Sequence, residues 1–201
     1  MKKSMGNILK PALVLLLVCL IVTAALAFTY QGTKDTIAER ARIDAENSRR
    51  EILPSADAFE PVDGIESLTG GRPELEPVRE AYKGLKGDSL AGYVFTVATK
   101  GYGGNIEMMV GIDERGKITD VKIISHSETP GLGSKAAAEP FDSQLSGFIP
   151  SQPLEVVKRE SSKPEEIEAI SGATITSRAV VKGVQAAVDM WAVLAGSGGD
   201  F

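Results

Sequence analysis

Apolar and polar positions change rhythm several times along this chain, and each change predicts a different element. From Pro11 through Thr33 no charged residue occurs, and residues 12–28 are almost entirely Leu, Val, Ile and Ala. About 20 such residues suffice to cross a bilayer core at 1.5 Å per residue, so residues 11–30 read as a transmembrane helix. Residues 34–52 are charged and free of Gly and Pro, with Ile37, Ala41, Ala45 and Ser48 three or four apart. That spacing predicts an exposed stalk helix ended by Leu53-Pro54. Residues 54–77, rich in Pro, Gly and acids, read as a linker.

The rhythm then shifts to period two. Residues 90–99 read as one strand and Asn105–Asp113 as a second, with Ile106, Met108, Val110 and Ile112 on one face. Ile118–Ser125 reads as a third. The turns between them, at 101–104 and 114–117, are short enough to imply an antiparallel meander. Residues 130–133 form a Gly-Pro loop, 136–145 hold short helical turns, 154–158 a brief strand, and 163–166 a turn or helix start. Val180, Val181, Val184, Val188 and Trp191 recur at helical spacing, predicting an amphipathic helix to about Leu194. The order of sheet then helix gives an α+β body. The expected organisation is a cytoplasmic N-terminus (1–10), a transmembrane helix (11–30), a stalk and linker (31–77), a folded domain (78–195) and a frayed tail (196–201).

Charge and composition narrow the functions. Lys2, Lys3 and Lys10 precede the apolar run, which favours a cytoplasmic head and an extracytoplasmic body in a single-pass protein of the cytoplasmic membrane. Ala25-Leu26-Ala27 also has the form of a signal-peptidase site, and cleavage there would release a soluble protein. The net charge of −5 and the lack of a basic stripe argue against nucleic acid. One cysteine and one histidine exclude an internal disulfide and disfavour a Cys/His metal site. The residues before Cys19 are too large for a lipoprotein signal.

Three motifs carry candidate chemistry. Ser171-Gly172-Ala173-Thr174-Ile175-Thr176-Ser177 sits just ahead of the last helical stretch. A turn of small residues opening a helix offers free N–H groups and a positive dipole end to a phosphate, and Thr174 offers a hydroxyl that can be esterified. The same residue types also cap helices with no ligand. A threonine hydroxyl needs an external base or enzyme to attack phosphorus, and no His lies nearby. The second motif, residues 125–135, follows the third strand. A Pro-Gly loop there brings backbone N–H groups near a flat ring, with Glu128 and Thr129 as polar partners and Leu132 as an apolar face. The third, Lys100-Gly101-Tyr102-Gly103-Gly104, joins two strands and precedes no helix. It is therefore a hairpin with permissive glycines rather than a dinucleotide loop, and Tyr102 is a candidate ligand neighbour.

In order and spacing these motifs resemble the FMN-binding domains modified by an ApbE-type flavin transferase. Ser171-Gly172-Ala173-Thr174 is similar to the flavinylation motif, and residues 126–133 to the family's His-x-Glu-Thr-Pro-Gly-Leu-Gly loop. With the single anchor, the chain resembles the RnfG family of FMN-binding subunits in Rnf electron-transport complexes. The corresponding FMN-binding component of sodium-translocating NADH:quinone oxidoreductases is similar. The resemblance implies FMN held by a phosphoester to Thr174, with FAD as donor and AMP released. It implies Ser171, Gly172, Ala173 and Thr176 around the phosphate, and Glu128, Thr129, Pro130, Gly131, Leu132 and Gly133 along the isoalloxazine and ribityl chain. Lys135 and Lys163 are candidates for neutralising the phosphate. Where the family often carries Asp before the flavinylation motif, this chain has Glu168. The implied function is a non-catalytic, membrane-anchored electron-transfer component of an ion-translocating ferredoxin:NAD oxidoreductase, with the other Rnf proteins and the transferase as partners. The alternatives are an FMN module of another membrane reductase or maturation system, and a non-redox anchored scaffold.

Overall fold

A computed structural model describes residues 2–196; the end of the expected tail, 197–201, lies outside the described residues. The chain divides into two compact units, residues 1–45 and 46–201.

The described residues of the first unit, 2–45, are all helical. They belong to α1, Lys2–Ile52, which runs on through Pro11. The charged stalk continues the apolar run without interruption, and one helix covers head, apolar run and stalk. From Leu13 to Leu26 the large apolar side chains are exposed, at half or more of their surface. By length and composition this segment can cross a membrane. Past the apolar run, Thr29 and Thr33 donate back to the carbonyls of Ala25 and Thr29, and Arg42 pairs with Glu39.

The second unit is built on a five-stranded antiparallel sheet in simple sequence order. Its strands are β1 (Ala58–Pro61), β2 (Val78–Lys86), β3 (Ser89–Lys100), β4 (Asn105–Asp113) and β5 (Ile118–Ser125). The expected linker thus contributes an edge strand and a short helix, α2 (Ile65–Thr69). A long helix, α3 (Thr174–Gly196), covers one face of the sheet. Ile106, Met108, Val110 and Ile112 point into that layer and are fully buried, with Val180, Val184, Ala187 and Met190 of α3 packed over them. By length and composition α3 could also cross a membrane, but half of its apolar stretch is buried inside the domain. It is a core helix.

The other face is closed by the last turn of α1. Ile52 and Leu53 are fully buried. A Cβ placed on Gly111 would lie 2.5 Å from Ile52 Cγ2, so only glycine lets the helix end approach β4 so closely. Thr119 donates to the Ile52 carbonyl at 2.7 Å, satisfying a carbonyl that the helix leaves free.

Between β5 and α3 lie two 3-10 turns, Gly133–Ala137 and Asp142–Leu145, and a small parallel pair, β6 (Glu155–Val157) with β7 (Glu166–Glu168). Two carboxylates tie down this crossover. Glu165 Oε1 accepts the Ser151 hydroxyl (2.6 Å) and N–H (2.9 Å), and these bonds lower its pKa to about 2. Glu166 accepts Arg159 (2.8 Å) and the Ser162 N–H and hydroxyl, and its pKa is also lowered to about 2. Each is more acidic folded than at its ordinary 4.5. Their contribution to stability is therefore complete above that ordinary value and lost as pH falls toward 2. The urea midpoint should be flat above about pH 5 and fall between about pH 4.5 and 2, less steeply in Glu166→Gln.

Candidate functional site

The site forms where three separate segments meet at one end of the sheet. The β3–β4 turn supplies Tyr102, the loop leaving β5 supplies Glu128, Thr129, Leu132 and Gly133, and the start of α3 supplies Gly172 through Thr176. Together they line a cleft of about 500 Å³, a size suited to a cofactor.

The α3 end of the cleft is a helix N-terminus. The first helical bond runs from the Ser177 N–H to the Ala173 carbonyl at 3.0 Å, which leaves the N–H groups of Thr174, Ile175 and Thr176 ahead of it as free donors among the described residues. Gly172, at φ +78°, turns the chain into the helix in a conformation that side-chain-bearing residues rarely adopt. Ser177 is fully buried and braces this turn. Its hydroxyl donates to the Ala173 carbonyl and accepts the Ile170 N–H, both at 3.0 Å. Thr174, the first helical residue, is half-buried, and its hydroxyl has no protein partner among the described residues.

Large side chains line the opening. Leu132 and Ile175 keep 45% and 55% of their surface exposed, and Tyr102 72%, an unusual display of three large apolar side chains around one opening. A flat ring system would cover them.

Glu128 joins the walls. Its Oε1 accepts the N–H groups of Tyr102 (2.8 Å) and Gly103 (3.0 Å), and its Oε2 accepts the Thr176 hydroxyl (2.7 Å). Burial pushes the carboxyl's pKa up, but those three donors and nearby His126 outweigh it and hold the pKa below its ordinary value. The carboxylate is thus largely engaged by the protein itself. The glycines around it follow: a Cβ on Gly101 would lie 2.3 Å from Oε1, and one on Gly133 2.4 Å from Oε2. His126 Nδ1 accepts the Glu128 N–H at 3.3 Å, which folds the loop.

Of the residues singled out in the sequence, Glu128, Thr129, Leu132, Gly133, Gly172, Ala173, Thr174 and Thr176 line the cleft, as does Tyr102. Ser171, Pro130 and Gly131 are exposed and do not line it. Gly131 instead shapes the loop, its N–H donating to Ser134 Oγ at 2.9 Å. Lys135, Lys163 and Glu168 are also exposed and outside the lining. Ile175 is an addition; its place just after Thr174 on the first helical turn is the signal that could have found it.

Thr176→Ala strands Glu128 Oε2 in a buried setting and should cost about 1–3 kcal/mol of stability. Thr176→Ser should cost far less. Paired urea titrations check this.

Comparison with known proteins places this geometry. Residues 101–189 match the family model described as FMN-binding domain, and residues 1–52 the model described as RnfG N-terminal region. The G component of the Na(+)-translocating ferredoxin:NAD(+) oxidoreductase complex of Acetobacterium woodii is 35% identical over 190 residues, covering 92% of this chain and 91% of the relative. The G component of the proton-translocating ferredoxin:NAD(+) oxidoreductase complex of Clostridium ljungdahlii is 35% identical over 175 residues, covering 87% and 86%. The crystal structure of the C component of the Na(+)-translocating NADH-quinone reductase of Parabacteroides distasonis shares the fold, with a TM-score of 0.51 at 19% identity over 76% of this chain and 82% of that one. With relatives this similar over nearly their whole length, the chain belongs to the RnfG family, the G components of ion-translocating oxidoreductase complexes.

Proposed function

We propose that this protein is the membrane-anchored flavoprotein electron carrier of an Rnf-type ion-translocating ferredoxin:NAD oxidoreductase, with FMN attached through a phosphoester to Thr174. The observation that carries the attachment is the meeting, at one point of the cleft, of the Thr174 hydroxyl and the free N–H groups of the first turn of α3. The donors suit a phosphate, and the dipole end favours its charge. The apolar rim of Tyr102, Leu132 and Ile175 suits the ring system.

FMN supplies one- and two-electron chemistry; the protein supplies position and environment. In this reading the N–H groups of Thr174, Ile175 and Thr176 hold the phosphate, while Gly172 and Ala173 let it approach the backbone. Leu132 and Ile175 shield the ring edge from water. Thr174 has no base beside it, so the ester is made by an ApbE-type flavin transferase from FAD. The folded domain, 78–195 with the preceding edge strand, lies on the extracytoplasmic side of the cytoplasmic membrane, held by residues 11–30 and in contact with the other Rnf proteins. A covalent link keeps the cofactor where free FMN is scarce, since a dissociable one would be lost by mass action.

Intact-mass measurement of the chain purified from a host coexpressing the transferase tests this. A single FMN adduct on a chain retaining its first 27 residues is expected. A colourless protein without the adduct contradicts the flavin assignment, and loss of those residues contradicts the anchor.

A further inference from the structure

We infer that Glu128 is a positioning residue, a strut whose reach rather than charge holds the β3–β4 turn against the first turn of α3 and so fixes the cleft around Thr174. The inference rests on the reading of that cleft as the FMN site, but its core is independent of any cofactor.

The connectivity carries it. One carboxylate takes hydrogen bonds from Tyr102 and Gly103, 26 and 25 residues away, and from Thr176, 48 residues away. These are two of the three segments that line the cleft, and Glu128 itself stands on the third. The side chain is buried, so its bonds do not compete with bulk water. Glycine at 101 and at 133 leaves room for one oxygen each; a methyl at either position would collide with the carboxylate. The resemblance alone would place Glu128 along the flavin. Here Oε1 is taken by two backbone donors and Oε2 by a hydroxyl, so the side chain acts on the cofactor through the walls it joins.

Two conservative variants separate reach from charge. Glu128→Gln keeps the length: its amide oxygen accepts the two N–H groups, and its amide nitrogen donates to Thr176 Oγ1, whose hydroxyl also accepts. Glu128→Asp keeps the charge but is one methylene short of spanning both walls. The first readout is amide hydrogen exchange at Tyr102 and Gly103 in the full-length, unloaded protein, with β4 amides as the control for an intact fold. The second is the rate of FMN loading by flavin transferase and FAD.

Glu128→Gln should keep both amides protected and load within about twofold of the unmodified protein, whereas Glu128→Asp should lose their protection and load at least about tenfold more slowly. An aspartate variant that loads as well as the glutamine variant, or equal loss in both, overturns the strut. An unmodified protein that never acquires FMN at Thr174 sinks the Thr174 assignment alone, because amide exchange still tests the strut.

Discussion

Thr174→Ala, matured beside a flavin transferase, should carry no covalent flavin at all. The denatured band should show no flavin fluorescence on a gel, while Thr176→Ala should remain fluorescent. The contrast follows from what each hydroxyl does. Thr174 is half-buried at the cleft with no protein partner among the described residues, so its oxygen is free to be esterified. Thr176 is buried and committed to Glu128. Removing it cuts the tie from Glu128 to α3, which should slow loading, but the Thr174 hydroxyl remains to be esterified and the Tyr102 and Gly103 bonds to the carboxylate stay in place. Neither change should unfold the domain: at position 174 alanine removes only a hydroxyl and a methyl from a partly exposed helix start. Loss of the adduct with an unchanged urea midpoint would locate the effect in chemistry rather than folding. A Thr174→Ala band as bright as the unmodified one would reject the assignment.

The second large effect is expected at Gly103. A Cβ there would lie 2.1 Å from the Ser127 carbonyl oxygen and 2.9 Å from its carbon. Both are backbone atoms, so no side chain can swing aside, and the turn itself must move. Gly103→Ala should cost about 2–3 kcal/mol, the upper part of the range for overpacking, and should slow flavin loading because the Gly103 N–H leaves Glu128. Gly131→Ala is the matched control. Its Cβ meets nothing within 4 Å, and only its φ of +77° opposes a side chain. That costs about 1–2 kcal/mol, without disturbing the cleft walls. Urea titration with loading rates distinguishes the two; equal stability of both variants would contradict the close approach.

How much of the fold is legible in the sequence depends on the regularity of the signal. β4 and β5 fall at their expected limits because Ile106, Met108, Val110 and Ile112 alternate cleanly and both turns are short. β2 carries no clear strand pattern. Its sequence, Val-Arg-Glu-Ala-Tyr-Lys-Gly-Leu-Lys, buries Val78, Ala81 and Gly84 at steps of three, and irregular pairing near both ends breaks the period of two. β1 is four residues long and mostly exposed, with Pro61 in it; such an edge strand carries almost no pattern. The parallel pair β6–β7 depends on a contact across a long loop, which no local spacing reveals. The apolar repeat of α3 begins only at Val180, whereas the helix opens at Thr174 on hydroxyl residues.

The site is legible as motifs and not as geometry. The order of the three segments is enough to bring Tyr102, Glu128 and Thr174 into consideration together. What the sequence does not display is that Glu128 faces inward to two other segments and that Ser171, Pro130 and Gly131 are exposed. Those outcomes depend on side-chain direction at irregular backbone, where neither the helical nor the strand period applies. In the sequence the glycines at 101 and 103 read as hairpin residues, and Gly133, through the resemblance, as a neighbour of the cofactor. They are spaces kept for a carboxylate and a carbonyl.

Peptide mapping of the matured, unmodified protein locates the ester. Trypsin spares the Lys163-Pro164 bond, so residues 160–178 emerge as one peptide holding Ser161, Ser162, Ser171, Thr174, Thr176 and Ser177. Fragmentation should find FMN esterified to Thr174 and every other hydroxyl in the peptide bare. FMN on a different residue, or a bare Thr174 in material that is otherwise fully loaded, would contradict the account.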